Sequence, residues 1–237
     1  MAAVKSLSGR QFRAILRKDI VMELRTFEML TSMGLYTLLT MVVYFVAFAS
    51  ASDAAKTIQS VAGGLLWVAF VFTSMLGLNR SLVHEKDQGC IEALLLAPVD
   101  RPVIFFAKAA GNLIFLLIVE AISVPVFYFL FMQGVGFAGP FWMLPLSLVA
   151  ASIGVAGVGT LLATMSVNTK GKDVLLAVMF IPVMYPLLLG AVSAASAAIT
   201  GGPGATSEFW GAMGFIAGFD VIMLLAAYGL YEFIIGA

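Results

Sequence analysis

Long stretches without a charged side chain dominate the chain, separated by short clusters that hold most of its charge. Positions 29–52 and 57–79 are the first two stretches, each long enough for one helical crossing of a bilayer, which takes roughly 20 apolar residues. From Ala121 to Thr169 no charge occurs at all. That length allows two crossings, and Gln133, Gly134, Gly136, Gly139 and Pro140 supply a turn between them. The uncharged stretch beyond Asp173 ends in Gly201, Gly202, Pro203 and Gly204, too glycine-rich and proline-broken to stay helical in lipid. A last span runs from Phe209 to Phe233. The pattern predicts helices over 29–51, 60–79, 103–132, 141–165, 174–198 and 209–233. The chain reads as an all-α integral membrane protein, six transmembrane helices in a single transmembrane domain, 1–237.

Composition excludes the soluble alternative, since no water-soluble domain hides a surface made from 62% hydrophobic and 11% charged residues with a mean hydropathy of +1.05. The positions of the basic residues add orientation. Lys5, Arg10, Arg13, Arg17, Lys18 and Arg25 precede the first span; Arg80, Lys86, Arg101 and Lys108 lie between the second and third; Lys170 and Lys172 lie between the fourth and fifth. Twelve of the 13 Lys and Arg residues thus fall on one side and only Lys56 on the other. Because such residues are retained in the cytoplasm, the multi-pass chain is expected to have both termini there, as in a bacterial inner membrane. About 28 mostly amphipathic residues precede the first apolar run, so that span is expected to stay in the mature protein.

A net charge of zero with no basic cluster argues against nucleic acid. Cys90 is the one cysteine, which excludes an internal disulfide and a cysteine metal cluster and leaves a free thiol as its simplest role. No nucleophile with its base and no set of metal ligands occurs, so an intramembrane enzyme is disfavoured: no catalytic residue and no metal site is assigned.

Two segments outside the spans carry a pattern of their own. Phe12, Ile15, Leu16, Ile20, Leu24 and Phe27 recur at helical spacing, with Arg10, Arg13, Arg17 and Arg25 turned mostly elsewhere. Residues 1–28 therefore read as an amphipathic interfacial helix with its arginines near lipid phosphates, either a simple topology anchor or a mechanical element. The second segment, 80–102, is too charged at its start for lipid and too apolar at its end for a free linker. Ile91, Leu94, Leu95 and the stem of Glu92 form one face of a short helix that Gly89 lets turn and Pro98 ends, a surface suited to docking.

Glu85, Gly89, Glu92, Pro98 and Lys108 stand in the pattern E-x3-G-x2-E-x5-P-x9-K. It resembles the segment between helices two and three in ABC-2 type permeases of ATP-binding-cassette exporters. The stretch from Leu78 to Phe115, with the length, the spans and the short tails, is most similar to the cytochrome c maturation permeases of the haem exporter protein B (CcmB) family. The resemblance implies that 80–102 is a cytoplasmic coupling helix seated in a separate ATPase, through Glu85, Gly89, Ile91, Glu92, Leu95 and Pro98, and that 1–28 is the elbow helix. It also implies a homodimer working with an ABC ATPase and a tryptophan-rich, haem-handling membrane subunit in haem export or delivery. Two mechanisms stay open: haem crosses through the chain, or ATP drives release of haem already attached to a chaperone. Other cargo for such an exporter (a lipid, a drug or a polysaccharide) and a scaffold that transports nothing are the competing readings.

The residues agree that the motor is elsewhere. No G-x-x-x-x-G-K-[ST] loop occurs, since Gly171-Lys172 is followed by Asp173, so ATP belongs to a partner. Six helices also leave little room for a path within one chain, and no internal repeat divides it. His84, the one histidine, sits beside Glu85 and Lys86 and reads as a solvated loop residue more readily than as an axial ligand. Trp67, Trp142 and Trp210 are scattered, so no cofactor is expected to be held tightly, and haem enters only as the species transported or transferred. Inside the spans, Glu120 and Asp220 each need protein or water around them, because a charge at mid-membrane costs about 2.5–3.5 kcal/mol. Each is either a hydrogen bond between helices or the polar lining of a conformational path. Gly154, Gly157, Gly159 and Ala163 give span four a surface of small residues for close helix contact.

Overall fold

The computed structural model describes the backbone of residues 2–48, 54–87, 99–133, 136–166 and 172–235, and side chains within 8–48, 57–80, 99–133, 136–166 and 175–231. Among the described residues there are seven helices: α1 (Ala2–Thr26), α2 (Glu28–Phe48), α3 (Ala54–Asp87), α4 (Arg101–Phe131), α5 (Met143–Ser166), α6 (Lys172–Thr200) and α7 (Ala205–Ile235). Helices α2 to α7 each contain a stretch long and apolar enough to cross a membrane, which makes six candidate spans. Each predicted span falls on one of them, within a few residues.

Helix α5 is the centre of the bundle. Of its apolar stretch 78% is buried, against 22% in α2 and 17% in α7, and it touches α3, α4, α6 and α7. Its sequence explains this position, because glycine and alanine let neighbouring backbones come close where a larger side chain would hold them apart. Gly157 faces Leu224 of α7 and Gly159 faces Leu78 of α3. Gly63 of α3 does the same against α6, where an added Cβ would stand 2.8 Å from the Ser196 nitrogen and 2.9 Å from the Val192 carbonyl.

The turns at one end of the bundle form where glycine permits a left-handed backbone. Gly136 (φ 69°) lies in the turn before α5, and Gly201, Gly202 and Gly204 (φ 60°, 101° and 86°) separate α6 from α7. These two turns touch: the Ala138 nitrogen donates to the Ile199 carbonyl at 3.0 Å. Trp142 and Trp210, distant in sequence, come within 6.1 Å beside Phe209 at this end, while Trp67 is buried in the core. Aromatic rings at a membrane boundary combine an apolar body with a polar edge.

At the opposite end α1 docks by its middle. Ile15 is buried in a small cluster with Ile104, Phe105 and Ala107 of α4 and Tyr231 of α7, and Phe12 leans on it. Leu24 and Phe27, expected on the same apolar face, remain half exposed. The chain kinks at Phe27, where φ is 51°. A left-handed backbone costs about 1–2 kcal/mol for a residue with a Cβ. Glu23 supports the kink by accepting the Leu30 amide at 2.8 Å, an otherwise unpaired donor in the first turn of α2.

Candidate functional site: the coupling frame and the polar seams

The coupling segment proposed from sequence is only partly described. The backbone at Glu85 belongs to the last turn of α3, whereas Gly89, Ile91, Glu92, Leu95 and Pro98 lie outside the described residues, as does Cys90. The frame that holds the segment is clear on both sides. Helix α3 continues past its uncharged stretch, which ends at Asn79, to Asp87, and so extends about 12 Å beyond it at 1.5 Å per residue. Helix α4 starts at Arg101, with Asp100 at the N-cap position and Pro102 in the first turn, where its missing N–H is no loss.

Both sides of this frame are ion-paired to the α1–α2 elbow. Arg80 meets Glu28 at 3.2 Å on the surface, with side chains 48% and 65% exposed. Lys108 Nζ donates to Asp19 Oδ2 at 2.8 Å, and Lys18 approaches the other Asp19 oxygen at 3.0 Å. Lys108 is only 4% exposed, so water screens its pair far less. The sequence pattern had included Lys108 but gave no partner for it; the partner is 89 positions away.

Two polar seams run along α5. On one face Asn112 of α4 donates to Thr160 at 2.9 Å, and further along Ser152 donates to Glu120 Oε1 at 2.7 Å. On another face the Asp220 carboxylate of α7 lies against Gly154, filling the room a Cβ would need. Glu120 and Asp220 are thus both buried against the same helix rather than exposed to lipid. Glu120 Oε2, Asp220 Oδ1 and Trp67 Nε1 have no hydrogen-bond partner among the described residues. A third polar contact, Thr37 to Thr73 at 2.6 Å, joins α2 to α3. Of these seams Glu120 and Asp220 were named from the sequence; Asn112 was missed, its signal being a lone amide in an apolar run, and Ser152 and the threonines gave none.

A cavity of about 10 Å³ lies between α2, α3, α4 and α5, bounded by Met33, Ser74, Asn112 and Leu116 among others, about the room one water needs. Among the described residues no group of His, Cys, Asp and Glu is placed to hold a metal ion. His84 falls in α3, its side chain outside the described set.

Comparison with known proteins covers nearly the whole of this architecture. The model of the family described as "CcmB protein" matches residues 10–231. "Heme exporter protein B" of Pseudomonas aeruginosa is 24% identical over 158 residues, 65% of this chain and 68% of that protein. The protein of the same name from Bradyrhizobium diazoefficiens is 25% identical over 188 residues, 79% of this chain and 82% of its own. That from Haemophilus influenzae is 24% identical over 143 residues, with 60% and 63% covered. A family match that takes in α2 to α6 whole and most of α1 and α7 leaves only the outer ends of those two helices outside it, and the chain belongs to the CcmB protein family.

Proposed function

We propose that this chain is the membrane permease subunit of an ABC transporter that serves haem export or delivery for cytochrome c biogenesis. The observation that carries the reading is the family match over residues 10–231, together with relatives named for haem export. In this reading the chain catalyses nothing itself. A separate ATPase binds the segment 80–102 and hydrolyses ATP, and two copies of the chain enclose the moving parts. The fold suits that division of labour: α3 runs on past its uncharged stretch to Asp87, and α4 begins at Arg101. Glu85, Gly89, Ile91, Glu92, Leu95 and Pro98 form the contact, with the glutamates as its charged anchors and Ile91 and Leu95 as its apolar ridge.

The orientation proposed with it puts α1, the coupling segment and both termini in the cytoplasm, supported by the twelve of 13 basic residues on that side. Helix α1 then lies in the lipid interface. Haem is cargo, or leaves on its chaperone, and a tryptophan-rich membrane subunit handles it. The polar seams beside α5 are hydrogen-bonded contacts between helices that move relative to one another.

The test is mass spectrometry of subunits that co-purify with the chain from native membranes in mild detergent, repeated for Glu85→Ala and Glu92→Ala. An ATPase and a haem-handling subunit with the wild type, and loss of the ATPase or of ATP-dependent cytochrome c formation in the variants, is the expected result. An ATPase with other partners removes haem and keeps the exporter; no ATPase removes both.

A further inference from the structure

The two ion pairs described above converge on a single short piece of chain. Asp19 and Glu28 stand on either side of Phe27, which is the one non-glycine residue with a left-handed backbone among those described. Asp19 holds Lys108 on α4, and Glu28 holds Arg80 on α3. Each side of the coupling segment is therefore attached to a different side of the same kink.

Specific contacts join the same four helices in the same two pairs, within a core where Phe115 and Leu116 of α4 also pack with Met29 and Met33 of α2 and the Phe45 ring of α2 meets Phe131 of α4 at 6.2 Å. Helix α1 is joined to α4 by Ile15 in its apolar cluster, by Leu16 facing Gly111 and by the part-buried Asp19–Lys108 pair. Helix α2 is joined to α3 by Met33 seated on Gly77 and by the Thr37–Thr73 hydrogen bond of 2.6 Å. Between the two pairs lies the small cavity, lined by Met29 and Met33 on one side and Asn112 and Leu116 on the other. Methionine is the side chain that best tolerates sliding contact, being unbranched and readily re-packed. The two attachments also differ in strength. In the Asp19–Lys108 pair the side chains are only 13% and 5% exposed, so water screens it little, whereas the exposed Arg80–Glu28 pair is screened and exchanges readily with water.

From this arrangement we infer that Phe27 is a hinge between an α1–α4 unit and an α2–α3 unit, and that Asp19 and Lys108 are the positioning pair that makes α1 follow α4 when the coupling segment is displaced. Arg80–Glu28 is the surface contact that breaks and re-forms as the units rotate. The inference rests on the reading of 80–102 as the ATPase contact, and it adds a moving part: α1 swings at the bundle end with its arginines.

The experiment uses the assembled complex in lipid nanodiscs, with Cys90→Ser as background and spin labels at exposed positions: Arg13 on α1, Val68 on α3 and Ile118 on α4. Electron-electron distances are measured without nucleotide and with ADP and vanadate. The α1–α3 distance (13 to 68) is expected to shift by at least about 2 Å, the scale of helix movement in switching proteins, while the α1–α4 distance (13 to 118) stays constant. In Asp19→Asn and in Lys108→Met the α1–α4 distance should broaden and the nucleotide response of α1 vanish, with ATPase still bound and hydrolysing. The charge swap Asp19→Lys with Lys108→Asp should restore the response, which a variant that merely misfolds would not do. An unchanged α1–α3 distance in a wild-type complex that hydrolyses ATP overturns the hinge. A full response in both single variants overturns the positioning pair. A chain that binds no ATPase overturns the functional reading beneath both, an outcome seen in purification before any distance is measured.

Discussion

Ser152 donates its hydroxyl to Glu120 at 2.7 Å, so the acid in the middle of α4 is held by the central helix α5. Removing the donor while keeping the acid isolates the problem a lone buried carboxyl poses. Ser152→Ala should destabilise the purified permease by about 0.6 kcal/mol and at most about 1.7 kcal/mol, the range found for interhelical hydrogen bonds in membranes. Replacing both partners with apolar residues, Ser152→Ala with Glu120→Leu, should recover that loss, since matched apolar groups leave nothing unpaired. Thermal unfolding in detergent measures both. Should the double variant regain its melting temperature and still fail to support cytochrome c formation, the pair serves the conformational path rather than packing.

Asp220 and Gly154 give a steric test. A Cβ at position 154 would run into the Asp220 carboxylate and stand 2.8 Å from a Leu187 methyl. Gly154→Ala should therefore cost about 1–3 kcal/mol by overpacking. Shortening the opposite side chain, Asp220→Ala, should relieve much of this in the double variant, so a double-mutant cycle should show a coupling above about 0.5 kcal/mol. Additive effects would mean that the two residues are not in contact.

Gly63 allows no such relief, because the groups around it include backbone. The Ser196 nitrogen and Val192 carbonyl would stand 2.8 and 2.9 Å from a new Cβ, so Gly63→Leu should force α3 and α6 apart. Loss of the monodisperse peak in size-exclusion chromatography, with Gly64→Leu as the neighbouring control in open space, is the expected outcome.

Orientation can be read with the protein's own thiol. Cys90 is the single cysteine and lies in the segment assigned to the cytoplasm. A membrane-impermeant maleimide should label it in inverted membrane vesicles and not in intact cells stripped of their outer membrane; the reverse pattern would invert the topology.

The six spans were legible because lipid imposes a simple demand, continuous apolar length, and the glycine-rich turns at Gly136 and Gly201 to Gly204 were legible because few other residues adopt a positive φ. The kink at Phe27 was not, since phenylalanine carries no sign of a left-handed backbone; the expectation there was an unbroken apolar face through Leu24 and Phe27. Lys108 was visible as part of a pattern, yet Asp19 could not be named as its partner, because a part-buried pair joining distant positions leaves no local spacing to read. For the same reason Glu120 and Asp220 were recognised as exceptional while Gly154 was recognised only as a small residue and Ser152 not at all. Trp142 and Trp210 looked scattered in sequence and meet in space because their helices begin at the same end of the bundle.

The enclosure of α5 has a consequence for how the protein is made. The helices that surround it lie on both sides in chain order, α3 and α4 before it and α6 and α7 after it. A chain threaded into the bilayer from its N-terminus thus delivers α5 while two of its neighbours are still unmade, and Gly154 and Gly157 face lipid tails until Asp220 and Leu224 arrive with the last helix. Synthesis and folding are therefore out of step by two helices, and through that interval one side of the central helix has no protein against it. The arrival of α7 closes that interval by covering Gly154 and Gly157.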